Sequence, residues 1–146
     1  MKAKNDSKSF VNKKARFDYQ INDQFESGIV LNGLEIKAIR SGRINLTGSY
    51  AKIISNEIFW LGGEIGVKEG DSQRTRKLLL KRNEIDKIFG KLSKEKLLLV
   101  PIKLYIKRGK AKLLLGLAKG RKSHDKREIK KIKDLERENA MIAKIS

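Results

Sequence analysis

Positively charged side chains occur in four short clusters, each close to an aromatic residue or a glycine-bearing turn. Ammonium and guanidinium groups on turns can bind phosphates, and flat side chains such as those of Tyr19 or Trp60 can stack on unpaired bases. A solvated turn is the ordinary interpretation of any one cluster, whereas four clusters in one small chain favour binding to nucleic acid. The clusters are residues 12–17, 74–77, 107–110 and 119–122.

The side chains that would support catalysis or metal binding are too few. The chain has no cysteine and a single histidine, His124, so neither a thiolate site nor a histidine-based metal site is available. A Ser/His/acid triad could use only that histidine, which belongs to a charged tail rather than to a rigid element. Acids for a two-metal nuclease would have to come from four separate elements: Asp18, Glu26, Glu35 and Glu64. We expect no enzyme, no cofactor and no metal.

The net charge indicates a partner of opposite sign. Among 146 residues, 35 Lys and Arg face 17 Asp and Glu, which gives a net charge of +18. This excess costs self-repulsion in a compact domain, so its retention indicates a polyanion. Nucleic acid is the leading candidate, and an anionic membrane surface is the second. A coding bias towards lysine is the functionless alternative.

No segment of the sequence has the character of a membrane span or a secretory signal. The longest apolar run, residues 97–102, is far shorter than the about 20 residues that cross a bilayer. The first eight residues carry charge without an apolar stretch behind them. We therefore expect a cytoplasmic protein.

Three regions differ in composition. Residues 1–12 predict a flexible basic arm, residues 13–118 a folded barrel, and residues 119–146 a basic tail. A capping-box spacing between Asp125 and Glu128 favours helix in the tail, but its apolar stripe is broken. We expect the tail to become helical when it is bound to a partner.

Hydrophobic periodicity in the middle region predicts a mainly β fold. Strands are expected at 15–21, 25–31, 49–54, 57–61, 97–106 and 111–118, and helices at 34–40 and 83–89. Residues 62–75 predict a loop. Gly28 indicates a bend, Pro101 an edge or a bulge, and Gly90 the end of the second helix. Short strands in this number favour a small closed or nearly closed barrel. An open antiparallel sheet packed on two helices is the alternative.

Several stretches, in order from residue 12 to residue 127, resemble the SsrA-binding protein (small protein B) family. The matching stretches are residues 12–19, 25–37, 40–46, 49–51, 76–80, 104–107 and 116–127. The resemblance implies an OB-fold barrel, acting without catalysis, that binds transfer-messenger RNA and delivers it to stalled ribosomes in trans-translation. One copy per RNA is expected. The runner-up is a structural ribosomal protein with a barrel body and a basic extension.

The family pattern, together with the basic clusters, gives the expected site residues. Asn12, Glu26 and Leu79 correspond to positions that touch the tRNA-like part of the RNA, although an ion pair could explain Glu26, and Leu78 or Leu80 could be the outward leucine. The RNA-binding residues are expected to be Asn12, Lys13, Lys14, Arg16, Glu26, Arg76, Lys77, Leu79, Lys107 and Arg108. The tail residues for the small-subunit decoding centre are expected to be Lys119, Arg121, Lys122, His124, Asp125, Lys126 and Arg127.

Two segments depart from the family pattern. Residues 64–73 are shorter than is usual and lack proline, and residues 141–146 are more apolar than basic. For the second of these we expect packing against RNA or protein rather than phosphate pairing.

Overall fold

The structure is a computed structural model that describes residues 8–67, 70–120 and 123–145. Its strands are β1 (Ser9–Val11), β2 (Tyr19–Ile29), β3 (Ile44–Asn45), β4 (Tyr50–Ile54), β5 (Glu57–Leu61), β6 (Glu64–Ile65), β7 (Arg76–Leu79), β8 (Leu98–Lys107) and β9 (Lys110–Gly120). Its helices are α1 (Lys13–Asp18), α2 (Gly33–Arg40), α3 (Arg82–Lys94) and α4 (Ser123–Ile145).

The main sheet closes into a barrel. Its strands pair in the order β1-β8-β4-β5-β7-β2-β9, and β9 pairs again with β8, so the ring from β8 to β9 closes and β1 adds outside it. Every pairing is antiparallel, and β3 and β6 form a separate small sheet. The predicted mainly β, OB-like barrel is confirmed, and the open sheet is excluded. Closure removes the long exposed edges that invite aggregation.

The turns and irregularities of the barrel follow local sequence. The β4–β5 hairpin turns at Ser55 and Asn56, both with positive φ, as a two-residue hairpin turn of this hand requires. The β8–β9 hairpin turns in the same way at Arg108 and Gly109. The register of β8 against β9 shifts just after Pro101, which confirms the predicted bulge.

The predicted strand over residues 15–21 is wrong in its first half. Residues Lys13–Asp18 form α1, and the strand begins only at Tyr19. The Asn12 side chain caps this helix by accepting from the Ala15 N–H, and this local bond overrides a short alternation of apolar residues. Between the two strands predicted at 15–21 and 25–31 there is no break, only a register shift within a continuous β2.

Other boundaries also differ from the predictions. Ser9–Val11, expected in the flexible arm, pairs with β8, whereas residues 1–7 lie outside the described part. Glu64–Ile65, within the predicted loop, forms β6. Helix α3 continues through Gly90 to Lys94, because a single glycine inside a helix is tolerated and does not by itself end it. In the tail, Ser123–Ile145 forms α4.

A buried carboxylate joins α2 to the barrel. Glu35, in the first turn of α2, accepts from the Asn32 N–H, while the Asn32 side chain accepts from the Glu35 N–H, which completes a capping box. Arg76 Nε, on β7, donates to Glu35 Oε2 at 2.6 Å, and Arg74 Nε donates to the same oxygen at 3.1 Å. Both Glu35 and Arg76 are almost completely buried.

The guanidinium of Arg76 is fully satisfied. Its two remaining nitrogens donate to the carbonyls of Gly63 and Ser72, each at 2.9 Å, and its Cζ lies 5.3 Å from the centre of the Trp60 ring. A Cβ at Gly63 would fall 2.0 Å from that ring, so only glycine lets this carbonyl reach Arg76. The bonds therefore fix Gly63 and Ser72 to β7.

Hydrogen bonding keeps Glu35 ionised. Burial opposes ionisation, but the bonds from Arg74, the Asn32 N–H and Arg76 outweigh it, so the pKa of Glu35 lies below its ordinary value. A carboxyl whose pKa is lowered on folding adds stability above its unfolded pKa. That stability is lost as the pH falls through the lowered value.

The substitution Arg76→Met tests this network. It leaves a buried carboxylate without its best partner, and we expect the free energy of unfolding to fall by about 3–5 kcal/mol, measured by urea denaturation. Arg74→Met is the matched control, because Arg74 bonds to the same carboxylate from a side chain that is 35% exposed. We expect a clearly smaller loss there. Equal losses for the two variants would contradict a special role for the buried pair.

Candidate nucleic-acid interface

An acid lies among lysines on the outer face of the barrel. The Tyr105 hydroxyl, on β8, donates to Glu26 Oε2, on β2. Lys107 Nζ lies 3.7 Å from the same oxygen, and Lys103 Nζ lies 5.2 Å from the centre of the Tyr105 ring. Strand β9 runs between β2 and β8, and its Lys112 pairs in register with Tyr105. We call these five residues the Glu26 cluster.

The charges of the Glu26 cluster are well defined. The hydrogen bond from Tyr105 lowers the pKa of Glu26; burial works in the opposite direction, and Lys107 and Lys112 add to the lowering. Burial, and then the neighbouring carboxylate, raise the pKa of Tyr105 above its ordinary value. At neutral pH the carboxylate is therefore ionised and the phenol is protonated, so the hydroxyl is the donor.

An exposed leucine lies beside this cluster. Leu79 is 54% exposed, whereas Leu78 is buried and Leu80 is half-buried against the core, so Leu79 is the outward leucine. Leu79 pairs in register with Gly28, and a Cβ on Gly28 would come within 3.4 Å of the Leu79 Cβ. A groove of about 270 Å³ opens here, lined by Leu79 and by Gly109, Lys110 and Lys112 of the β8–β9 hairpin. Arg108 is exposed at the tip of that hairpin.

Two predicted RNA-binding residues are buried, which corrects their expected roles. Arg76 is fully buried and its guanidinium is hydrogen-bonded to Glu35, so RNA cannot reach it. Asn12 is 3% exposed, and its Nδ2 donates to the carbonyls of Pro101 and Leu46. Asn12 therefore positions α1 instead of facing a ligand. Trp60 is also fully buried and cannot stack on a base.

The remaining cations fall into separate groups. Lys13, Lys14 and Arg16 are exposed on α1, at the start of β2, whereas the Glu26 cluster lies towards the other end of that strand. Lys77 is half-exposed and lies 3.0 Å from Glu57. The α1 cations are thus not brought together with Leu79.

The tail begins next to α1. Lys126 Nζ lies 3.3 Å from Asp18 Oδ1, and Lys14 lies 3.6 Å from the other oxygen of that carboxylate. Lys119 and Arg127 are exposed, and His124 and Asp125 belong to the first turn of α4. Arg121 and Lys122 lie outside the described residues. The α1 cations and the start of the tail therefore form one basic region.

Three members of the Glu26 cluster escaped the sequence analysis: Lys103, Tyr105 and Lys112. Tyr105 stands in one of the family-like stretches, but nothing in a linear pattern shows that its hydroxyl meets a carboxylate 79 positions earlier. The available signal is strand alternation, which puts Lys103, Tyr105 and Lys107 on one face of β8.

Metal ions and membranes are two further classes of partner to consider. Within the described ranges, no three His, Cys, Asp or Glu side chains are grouped so that they could hold a metal ion. None of the helices in those ranges is both long and apolar enough to cross a membrane.

Comparisons with known proteins agree on one protein family. The family model described as SmpB protein matches residues 9–145. The SsrA-binding protein of Bacillus subtilis is 53% identical over 134 residues, covering 87% of this chain and 85% of the relative. That of Cupriavidus necator is 46% identical over 140 residues, covering 91% of this chain and 93% of the relative.

A solved structure shares the fold. It is described as "tmRNA-SmpB: a journey to the center of the bacterial ribosome", and one of its chains superposes with a TM-score of 0.67 at 39% identity. The match covers 82% of this chain and 92% of that one. The family model and these relatives span most of the sequence, and the chain therefore belongs to the SmpB family of SsrA-binding proteins.

Proposed function

We propose that this protein is a non-catalytic adaptor that binds transfer-messenger RNA and delivers it to stalled ribosomes for trans-translation, in the cytoplasm and as one copy per RNA. The observation that carries the proposal is the juxtaposition of the Glu26 carboxylate, the exposed Leu79 and the basic β8–β9 hairpin on one face of the barrel. The names of the relatives and of the solved structure support the RNA and ribosome partners.

Each part of this face suits a different part of an RNA. Lys107, Arg108 and Lys112 can neutralise phosphates, which supply affinity without reading sequence. Leu79 offers an apolar contact to an unstacked base or a ribose. Glu26 repels phosphate and can only accept, so it suits an N–H or O–H donor on the RNA. The face is therefore suited to a folded RNA with exposed bases rather than to uniform duplex.

The barrel and the tail divide the work in this proposal. The barrel holds the tRNA-like part of the RNA, and α4 enters the empty mRNA channel towards the decoding centre, where its helical form is stabilised by that partner. Ile132 and Leu135 on α4 are more than half exposed, so the helix has no strong packing of its own there. The relatives are named for binding SsrA, which argues against a structural ribosomal protein.

Salt dependence tests whether binding depends on phosphate contacts. Each neutralised phosphate lowers the slope of log K against log salt by about 0.7–0.9, so several contacts should give a steep decline in a filter-binding series with transfer-messenger RNA. Duplex DNA of equal length is the control ligand and should bind more weakly at every salt concentration. A flat response, or equal affinity for the two ligands, would contradict the proposal.

Replacing Leu79 tests the apolar contact. Leu79→Ser should weaken binding to transfer-messenger RNA about tenfold, while the midpoint of urea unfolding stays nearly unchanged because the side chain is already exposed. Leu98→Ser is the matched control, since Leu98 is 50% exposed at the start of β8, whereas Tyr105 lies near the other end of that strand. It should bind like the parent protein. Equal weakening by the two substitutions would remove Leu79 from the interface.

Truncation after Gly120 tests the division of work. We expect affinity for transfer-messenger RNA to stay within a few-fold and tagging of stalled chains to be abolished. Replacing His124, Lys126 and Arg127 with Ala should reproduce most of the tagging defect, because a ring can stack on a base while two cations bind phosphates. Lys130→Ala/Lys133→Ala removes as many cations further along α4 and is the control, with a smaller defect. A hundredfold loss of RNA affinity on truncation would contradict the division.

A further inference from the structure

The Glu26 carboxylate is held on one side only. Its Oε2 accepts from the Tyr105 hydroxyl and faces Lys107, whereas Oε1 makes no hydrogen bond to any residue in the described ranges. The side chain is 39% exposed, so this second oxygen is available to a ligand. The arrangement differs from an ordinary surface ion pair, in which the cation would be the main partner.

Orientation matters for this acid because lysines surround it. Lys103, Lys107 and Lys112 lie within the same cluster, and a free glutamate side chain could turn to any of them. Ordering a glutamate costs up to about 2 kcal/mol in rotamer freedom, which an RNA would otherwise have to offset on binding. A hydroxyl fixed on strand β8 removes that cost before the RNA arrives.

The Tyr105 ring is itself well placed for this role. Its hydroxyl reaches across β9, since Tyr105 pairs with Lys112 of β9 and Glu26 pairs with Leu114 of the same strand. Lys103 lies over one face of the ring. The ring is partly buried, and its hydroxyl donates to Glu26.

We propose that Tyr105 is a positioning residue for RNA recognition: its hydroxyl holds one oxygen of Glu26 and thereby presents the other to an N–H or O–H donor of the bound RNA. This inference rests on the proposed function. It assigns Tyr105 no contact with RNA of its own. Its effect on affinity therefore passes entirely through Glu26.

The experiment is a double-mutant cycle in the full chain, with affinity for transfer-messenger RNA measured by fluorescence anisotropy. Tyr105→Phe removes only the hydroxyl and should weaken binding about fivefold, and Glu26→Gln should weaken it about tenfold. The double variant should match Glu26→Gln within about twofold, because the hydroxyl would then hold the amide oxygen and leave an NH2 group, which cannot accept from the RNA, in the place of Oε1. Tyr50→Phe, which removes an exposed hydroxyl from β4, is the control and should bind like the parent.

A second readout separates positioning from a general loss of structure. The carboxyl ¹³C resonance of Glu26 should titrate at higher pH in Tyr105→Phe than in the parent, since removing a donor to the charged form raises the pKa of the carboxyl. The urea midpoint should fall only slightly, by the stability at neutral pH that the lost lowering of the pKa accounts for. An unchanged Glu26 titration would overturn the proposal even if binding were weaker.

The binding outcomes distinguish this inference from the function on which it rests. If the parent protein fails to bind transfer-messenger RNA, both are wrong. If the parent binds and Tyr105→Phe binds equally well, only the positioning role is wrong. If Tyr105→Phe weakens binding further in the Glu26→Gln background, Tyr105 contacts the RNA directly and the positioning role is again overturned.

Discussion

The buried ion pair between Glu35 and Arg76 is the constraint on which the rest of the barrel depends. It joins the first turn of α2 to β7, and Arg76 also donates to the carbonyls of Gly63 and Ser72. Charges this deep are tolerated only when every hydrogen-bonding group is satisfied, and here a capping box, a second arginine and two carbonyls achieve that. Strand β7 is held in place by this pair.

That placement determines what the outer surface offers. Alternation along β7 turns Arg76 and Leu78 inward, and so turns Leu79 outward over Gly28. The same alternation on β8 brings Tyr105 to the face that Glu26 occupies on β2. The buried Arg76, the exposed Leu79 and the hydrogen-bonded Glu26 therefore all depend on how neighbouring strands of the barrel are paired. In the proposed function, recognition of RNA uses groups whose positions the core has already fixed.

Sequence patterns predicted the parts of this molecule that local physics decides. Alternating apolar residues located most strands, and the broken regularity at Pro101 marked a real bulge. The same patterns gave wrong predictions where contacts between distant residues determine burial. Arg76 was predicted to be a surface cation, but it is buried because it pairs with Glu35. They also failed at α1, where the Asn12 cap outweighs a strand-like alternation. The family resemblance predicted Glu26 and Leu79 as site residues, but it did not predict the Tyr105 hydroxyl that donates to Glu26.

The central claim, that RNA is held on the face formed by β2, β7 and the β8–β9 hairpin, is tested most directly by nuclear magnetic resonance. The isotopically labelled protein would be titrated with the isolated tRNA-like part of transfer-messenger RNA. We expect the largest changes in backbone amide chemical shift at residues 26–28, at Leu79 and at residues 105–112, and only small changes in α4. Shifts confined to α1 and α4, with that face unchanged, would contradict it.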